Sequence, residues 1–358
     1  MQTHLPLYHK LKEQFLQWVP EERITRIRNM ALLITGLYKS GEIHLSKITR
    51  EWPIPGKDSS LYNRLWRFLD NQHVKVQEWY RPLAEQIVAR FTNVKHMFLL
   101  ADMTKVGSNH RILAIGTAFK KRAIPLYWMT EKGPKGHTNH KIQIALFQRV
   151  ASLLPRNKEI WVLGDSEFQS IPLLKWIRRR GWNFVVRLKG HVKVKIKGQG
   201  WVKINSLPLS EGETRYIGWV RVTEKHNAGW YWLILHWEEG EDEPWYLLSN
   251  KPGKRRLINY YRKRMWIEEL FGDVKGHGFD LEDTRVKDAE RINRLVLAVF
   301  IAFVWLITLG SWVVKRGYRH LIDHKSRRDK SYFRLGWDWV ARCFRVNKPV
   351  RVKFIPYF

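Results

Sequence analysis

The chain has 358 residues, room for one large core or about two to three modules, and its formal charge of +31 favours a polyanionic partner, because each neutralised phosphate releases condensed counterions. Nineteen tryptophans and 44% apolar residues exclude a disordered basic tail. The single cysteine, Cys343, excludes an intrachain disulfide framework and a cysteine-based zinc finger, and fits a reducing cytosol.

Met1 to Lys10 mixes His, Pro and Lys and has no apolar run, so no secretory signal is visible. Residues 1–93 read as helical. Ile27 to Tyr38 is periodic, Ser46 to Trp52 forms a short helix, and Pro53, Pro55 and Gly56 break the chain. Asp58 or Ser59 can then cap a helix whose Leu61, Leu65, Phe68 and Leu69 share one face. Arg64 and Arg67 lie on its other faces, a pattern that suits a helix-turn-helix DNA reader and equally a helical bundle with a solvated basic face.

Residues 94–189 change period. His96 to Ala101 is an apolar run ending in Asp102, and Arg111 to Phe119 and Ala123 to Thr130 are further strands. The amphipathic stretch Asn139 to Leu154 precedes Glu159 to Gly164, a buried-type strand ending in Asp165. Ile171 to Arg180 is helical, and Asn183 to Leu188 is a strand. Three strands, helix, strand, helix, strand predicts an α/β unit, a mixed sheet with helices packed on it. His137 and His140 form an HxxH pair without acidic partners nearby and are not taken as a metal site.

Residues 190–252 carry short alternating runs with Gly and Asn turns and read as an all-β insertion. In residues 253–318 the sequence Tyr261-Arg262-Lys263-Arg264-Met265-Trp266-Ile267-Glu268, with Lys275 beyond, spaces Tyr, Arg, Glu and Lys as Y-x2-R-x3-E-x6-K. On one continuous helix these four fall within about 60° of one another. Glu269 lies about 100° further round, off that stripe. Leu295 to Val314 is nearly continuous apolar sequence flanked by Arg291, Arg294, Lys315 and Arg316. Its length would cross a bilayer, and an anionic membrane would also attract the charge. Thr308, Gly310, Ser311 and two tryptophans, together with the charged motif just before it, favour a helix buried in a soluble core instead. Residues 319–358 are a basic C-terminal region that includes Lys325 to Lys330.

Asp102 and Asp165 at strand ends, joined by Glu268 from a helix, form a set of three carboxylates able to hold two divalent ions beside a phosphodiester. Oxygen-only ligands suit Mg²⁺, or Mn²⁺, and not zinc. Arg264 and Lys275 suit phosphate contact, and Tyr261 can stack on a base or bond a phosphate. The plainer reading of the same residues is an amphipathic helix with an Arg264–Glu268 pair worth a few tenths of a kcal/mol.

These residues resemble the bacterial insertion-sequence transposases of the "IS-four" family, whose signature is Y-(2)-R-(3)-E-(6)-K, and Asp102 and Asp165 look like the first two acids of that family's DDE triad. The resemblance covers most of the chain. It implies a ribonuclease-H-like catalytic core interrupted by the β-rich insertion, and an N-terminal helical DNA-binding domain. It further implies cleavage at terminal inverted repeats, strand transfer into target DNA within a dimer, and residence in the bacterial cytoplasm on the nucleoid. In some members a hairpin forms and an insert aromatic receives a flipped base. Trp201, Trp219, Trp230, Trp232, Trp237 and Trp245 are all available for that role. Glu167 stands where many members carry Gly or Ala, placing an extra carboxylate near the site. A non-catalytic DNA-binding repressor would share the basic charge without needing the three acids. A related metal-dependent nuclease would keep them and cut without joining.

Overall fold

The computed structural model describes residues 5–91, 94–133, 138–224 and 229–357. His137 of the HxxH pair lies outside them. Five helices come first: α1 (Leu5–Trp18), α2 (Ile24–Ser40), α3 (Leu45–Arg50), α4 (Asp58–Asp70) and α5 (Val76–Ala89). Gly41 ends α2 in the left-handed conformation, its N–H bonded to the Leu37 carbonyl, as an αL cap requires. In α4, Leu61, Leu65, Phe68 and Leu69 are buried together, and Asp58 sits in the first turn, where its charge meets unpaired N–H groups. Lys57 occupies the N-cap position without a side-chain bond, so neither Asp58 nor Ser59 caps this helix.

A ten-stranded mixed sheet follows, in the order β3-β2-β1-β4-β5-β10-β9-β8-β6-β7. β1 (His96–Val106), β2 (His110–Phe119) and β3 (Arg122–Lys132) form an antiparallel meander. After α6 (His140–Ala151), β4 (Glu159–Gly164) pairs parallel with β1. α7 (Ile171–Arg179) supplies the crossover that a parallel neighbour needs, and β5 (Asn183–Leu188) pairs parallel with β4.

The strands of the 190–252 region extend this same sheet. β6 (Lys193–Ile196), β7 (Gly200–Lys203), β8 (Thr214–Val222) and β9 (Trp230–His236) lie outward of β10 (Trp245–Ser249), which pairs antiparallel with β5. That pairing covers the row of backbone groups that β5 would otherwise leave open as an edge.

α8 (Arg255–Arg262) and α9 (Met265–Val274) then lead to α10 (Ala289–Lys315) and α11 (Tyr332–Arg345). By length and composition α10 could cross a membrane. Here it is the central core helix: Leu295 to Leu309 are all at most 1% exposed, packed by α2, α4, α5, α9, α11 and β3. Burying each large apolar side chain contributes about 1.5–3 kcal/mol, so this rod anchors the helical bundle and the sheet to one core. α11 crosses it at backbone contact. A Cβ on Gly310 would overlap the Tyr332 carbonyl oxygen, and one on Gly336 would overlap that of Leu306.

Candidate active site

Asp102 lies inside β1, opposite Ala114 of β2, and the strand runs on to Val106. The sequence-based strand end at Ala101 is therefore too short. The parallel pairing with β4 does stop there, at Ala101 opposite Gly164. Asp102 and Asp165 each follow the last pair of this register, on neighbouring strands that are about 4.8 Å apart where they pair. β5 carries the row one strand further: Gly164 is opposite Val186, so Arg187 comes next. This is the carboxyl edge of the parallel strands, where open α/β sheets bind ligands.

Asp102 is 3% exposed, and its Oδ1 accepts from the Met103 N–H at 2.7 Å. Asp165 Oδ1 accepts from the Glu167 N–H at 2.9 Å and caps a short 3₁₀ turn, Ser166–Phe168. The Glu167 carbonyl is held by Gln143 at 2.9 Å. Gly164 is needed before this turn, because a Cβ there would run into the Phe168 side chain.

The motif segment is two helices, not one. Arg264 N–H bonds to Tyr261 O, and Ile267 N–H to Arg264 O, a tighter turn spacing that separates α8 from α9. The single stripe expected from one helix is broken there. Tyr261 is 2% exposed, its ring edge-on to Trp245 at 5.1 Å, so it has no open face for stacking on a base. Burial pushes its phenol up to about 12; Asp165 and Glu268 also raise it, while Arg264 and Arg187 lower it. Lys275 has turned away to Glu282, at 2.9 Å. Glu269 pairs with Arg122 at 2.9 Å.

Arg264 ties the centre together. Its guanidinium is bonded to Glu268 Oε1 and reaches Asp102 Oδ2 at 3.5 Å. Burial disfavours its charge, but Tyr261, Asp102 and Glu268 outweigh that and raise its pKa. Among the described residues no group of three or more His, Cys, Asp or Glu side chains is close enough to hold a metal ion. The donor chemistry nevertheless fits a hard divalent cation: all three acids offer oxygen only, and two of them already converge on one positive group.

The remaining expected residues lie elsewhere. Arg64 is half-buried, bonded to Asn29 at 2.8 Å and set over Trp52 at 5.8 Å, while Arg67 is exposed. Of the insert tryptophans, Trp219 and Trp230 are the most exposed, at 43% and 44%. Sequence reasoning missed Arg187. With Ser166, Lys189, His191, Tyr246 and Glu243, to which it is paired at 2.6 Å, it lines a cleft of about 460 Å³ directly beside Asp165. The signal was present: Arg187 and Lys189 alternate at the end of a strand that follows the Asp165 crossover. Also missed was Arg122, which binds Asp273 at 2.6 Å and fixes the far end of α9 to β3.

Comparison with curated proteins gives no match. A solved structure titled as a piggyBac transposase synaptic complex with hairpin DNA is similar at a TM-score of 0.44 and 11% identity, covering 99% of this chain and 85% of that one. Residues 137–305 match the family model described as a transposase DDE domain. That span includes Asp165 and Glu268 and stops short of Asp102. The segment that carries two of the three acids and the paired helices α8 and α9 is therefore similar to the DDE domain of transposases.

Proposed function

We propose that the protein is a DDE-type DNA transposase, with Asp102, Asp165 and Glu268 as its catalytic acids. The observation that carries this reading is the placement of Asp102 and Asp165 just past the point where the parallel pairing of β1 and β4 stops, with Glu268 linked to Asp102 through Arg264. The strand order β3-β2-β1-β4-β5, with β1, β4 and β5 parallel, supports a ribonuclease-H-like core to which the later strands are added.

Asp102, Asp165 and Glu268 would hold Mg²⁺ or Mn²⁺ in a two-ion arrangement. When bound, such ions activate an attacking oxygen and stabilise the leaving oxygen of a phosphodiester. The chain's own residues supply position and charge. β1 and β4 hold two of the acids rigidly, and buried Tyr261 fixes α8 against Trp245. Arg264 offsets part of the negative charge of Asp102 and Glu268 and, released from them, would form a bidentate fork with a phosphate. Lys189, beside Asp165, would take an adjacent phosphate of the strand, and Arg187 would do so by exchanging Glu243, its partner at 2.6 Å, for phosphate. The substrate is DNA at the terminal inverted repeats of the element, followed by joining to target DNA within a dimer.

The test is incubation of the purified protein, and of its Glu268→Gln variant, with Mg²⁺ and a plasmid carrying the DNA that flanks the coding sequence. Excision of a discrete fragment by the wild type alone is expected, and a strand of doubled length on a denaturing gel would reveal hairpin ends. Asp102→Asn and Asp165→Asn should likewise bind ends without cutting. Cleavage surviving in any of the three variants removes that residue from the site. Binding without cleavage by the wild type leaves a repressor, and cutting without joining leaves a nuclease.

A further inference from the structure

A second cationic cleft lies at the other end of the sheet. The hairpin between β2 and β3, at residues 119–122, sits at the edge where β1 begins, opposite the edge of Asp102. There the extended segment 350–357 packs between α1, α5 and the end of α10. It borders a cleft of about 580 Å³ lined by Arg90, Lys315, Arg351 and Lys353, with Gln14, Gln17 and Gln86 on the α1 and α5 side.

Two of these cations, with Lys120 from the hairpin, gather around one residue, Tyr357. The Lys120 ammonium donates to its carbonyl at 2.8 Å, Lys315 lies over its ring at 5.0 Å, and Arg351 donates to its hydroxyl at 2.9 Å. Lys353 donates to Gln14 at 3.2 Å. Burial lowers the Lys120 pKa, and Lys315 lowers it further by repulsion. Among the described residues, none of Arg90, Lys120, Lys315, Arg351 and Lys353 has a carboxylate partner, and no acidic side chain lines the cleft. Elsewhere Arg and Lys pair readily with Asp and Glu, as Arg122, Arg187, Arg262 and Lys330 do. Val352 and Phe354 are buried while Arg351 and Lys353 are exposed, so the extended segment turns alternate residues outward. Two residues along an extended chain span about 7 Å, a spacing at which each cation can take a separate phosphate.

We propose that this cleft is a second DNA-binding site, which grips the phosphodiester backbone of a duplex segment away from the cutting edge. Its ligand chemistry is the phosphate ester. Arg351 and Lys353 follow one another along the same segment, with Lys315 beside them at the end of α10, a succession of cations that suits a polymer backbone better than a free nucleotide. The proposal rests on the transposase reading for its DNA partner, but not on the catalytic acids.

The experiment measures binding of a labelled short DNA duplex to the full-length protein by fluorescence anisotropy across a salt series. It compares wild type with a Lys315→Gln/Arg351→Gln/Lys353→Gln variant. All three side chains are exposed, and the charge-keeping Lys315→Arg/Arg351→Lys/Lys353→Arg variant controls for folding. A second control removes three exposed cations of the outer strands, by Lys195→Gln/Lys197→Gln/Lys203→Gln. Each lost phosphate contact lowers the salt slope by about 0.9, so the cleft variant should lose about 2–3, and the affinity lost between about 50 and 200 mM salt should shrink roughly fortyfold. The charge-keeping variant should match wild type, and the outer-strand variant should keep most of its slope. An unchanged slope in the cleft variant, or an equal fall in the outer-strand control, overturns the proposal. So does ATP raising the melting temperature of the wild type but not of the cleft variant while duplex binding is unaffected, which would make the cleft a free-nucleotide site. A slope lost with cleavage intact upholds both readings. A slope lost in a protein that never cuts upholds this one alone, and a wild type that binds no DNA removes both.

Discussion

Arg264 offers the sharpest test of how the site is built. Arg264→Met keeps most of the buried stem and removes the guanidinium. Two pairs are lost, and they are unequal. The Glu268 side chain is 45% exposed, so it returns to water, and an i,i+4 pair of that kind is worth about 0.3–0.5 kcal/mol. Asp102 is 3% exposed and would lose a positive neighbour while remaining buried. Stripping the partner from a fully buried pair costs about 3–5 kcal/mol. Because the Asp102 contact is long, 3.5 Å, and the Met103 N–H remains, about 2–3 kcal/mol is expected here. With an unfolding entropy of about 2.1 cal/mol/K per residue, a chain of this length loses about 1.3 °C per kcal/mol, so Tm should fall by about 3–4 °C. The double variant Arg264→Met/Asp102→Asn removes the buried charge and should recover at least half of that fall. The assay is thermal unfolding of the three proteins at one pH and salt. A single variant as stable as wild type would show that Asp102 does not depend on Arg264. A double variant no better than the single would place the loss in packing rather than charge.

Gly310→Ala should be among the most damaging small substitutions, because the new methyl meets a backbone oxygen of α11 that cannot step aside. Overpacking of this kind costs about 1–3 kcal/mol or more, and a Tm within about 1 °C of wild type would refute the close crossing. Asp273 should impose a pH dependence. Its buried carboxyl is pushed up to about 6, burial outweighing Arg122, so the folded chain holds this proton more tightly than the unfolded one. The contribution is full below about pH 4 and is lost as pH rises through about 6, roughly 3 kcal/mol across the window. The Tm difference between Asp273→Asn and wild type should therefore move in the variant's favour between about pH 4 and pH 7, and a constant difference would sink the assignment.

Much of the local structure is legible in the residues themselves. The buried runs ending near Asp102 and Asp165 appear as β1 and β4 because continuous apolar sequence suits strands covered on both faces. Spacing alone places Glu268 near Arg264. What the sequence does not carry is pairing. Nothing local says that β10 will lie beside β5, or that Arg187 will stand next to Asp165, since both depend on strands distant in the chain. The break between α8 and α9 is equally silent, because Lys263 and Arg264 keep near-helical backbone angles and only the hydrogen-bond spacing tightens. Arg64 reads as a surface cation until Asn29 and Trp52 close over it. The hydropathy of α10 is ambiguous by nature. A helix wholly enclosed by protein and one enclosed by lipid require the same side chains, and only the surroundings distinguish them.

The position of α10 in the chain sets the order of assembly. Its buried surface is shared with α2, α4 and α5, yet about 200 residues separate it from them. During synthesis the amino-terminal helices emerge first and must wait, with apolar faces uncovered, until the end of the chain arrives. Contacts of such long sequence separation make folding slow. A nascent chain halted before Ala289 would present those faces to solvent and to other chains, and the helices that come first in sequence would be among the last to become stable.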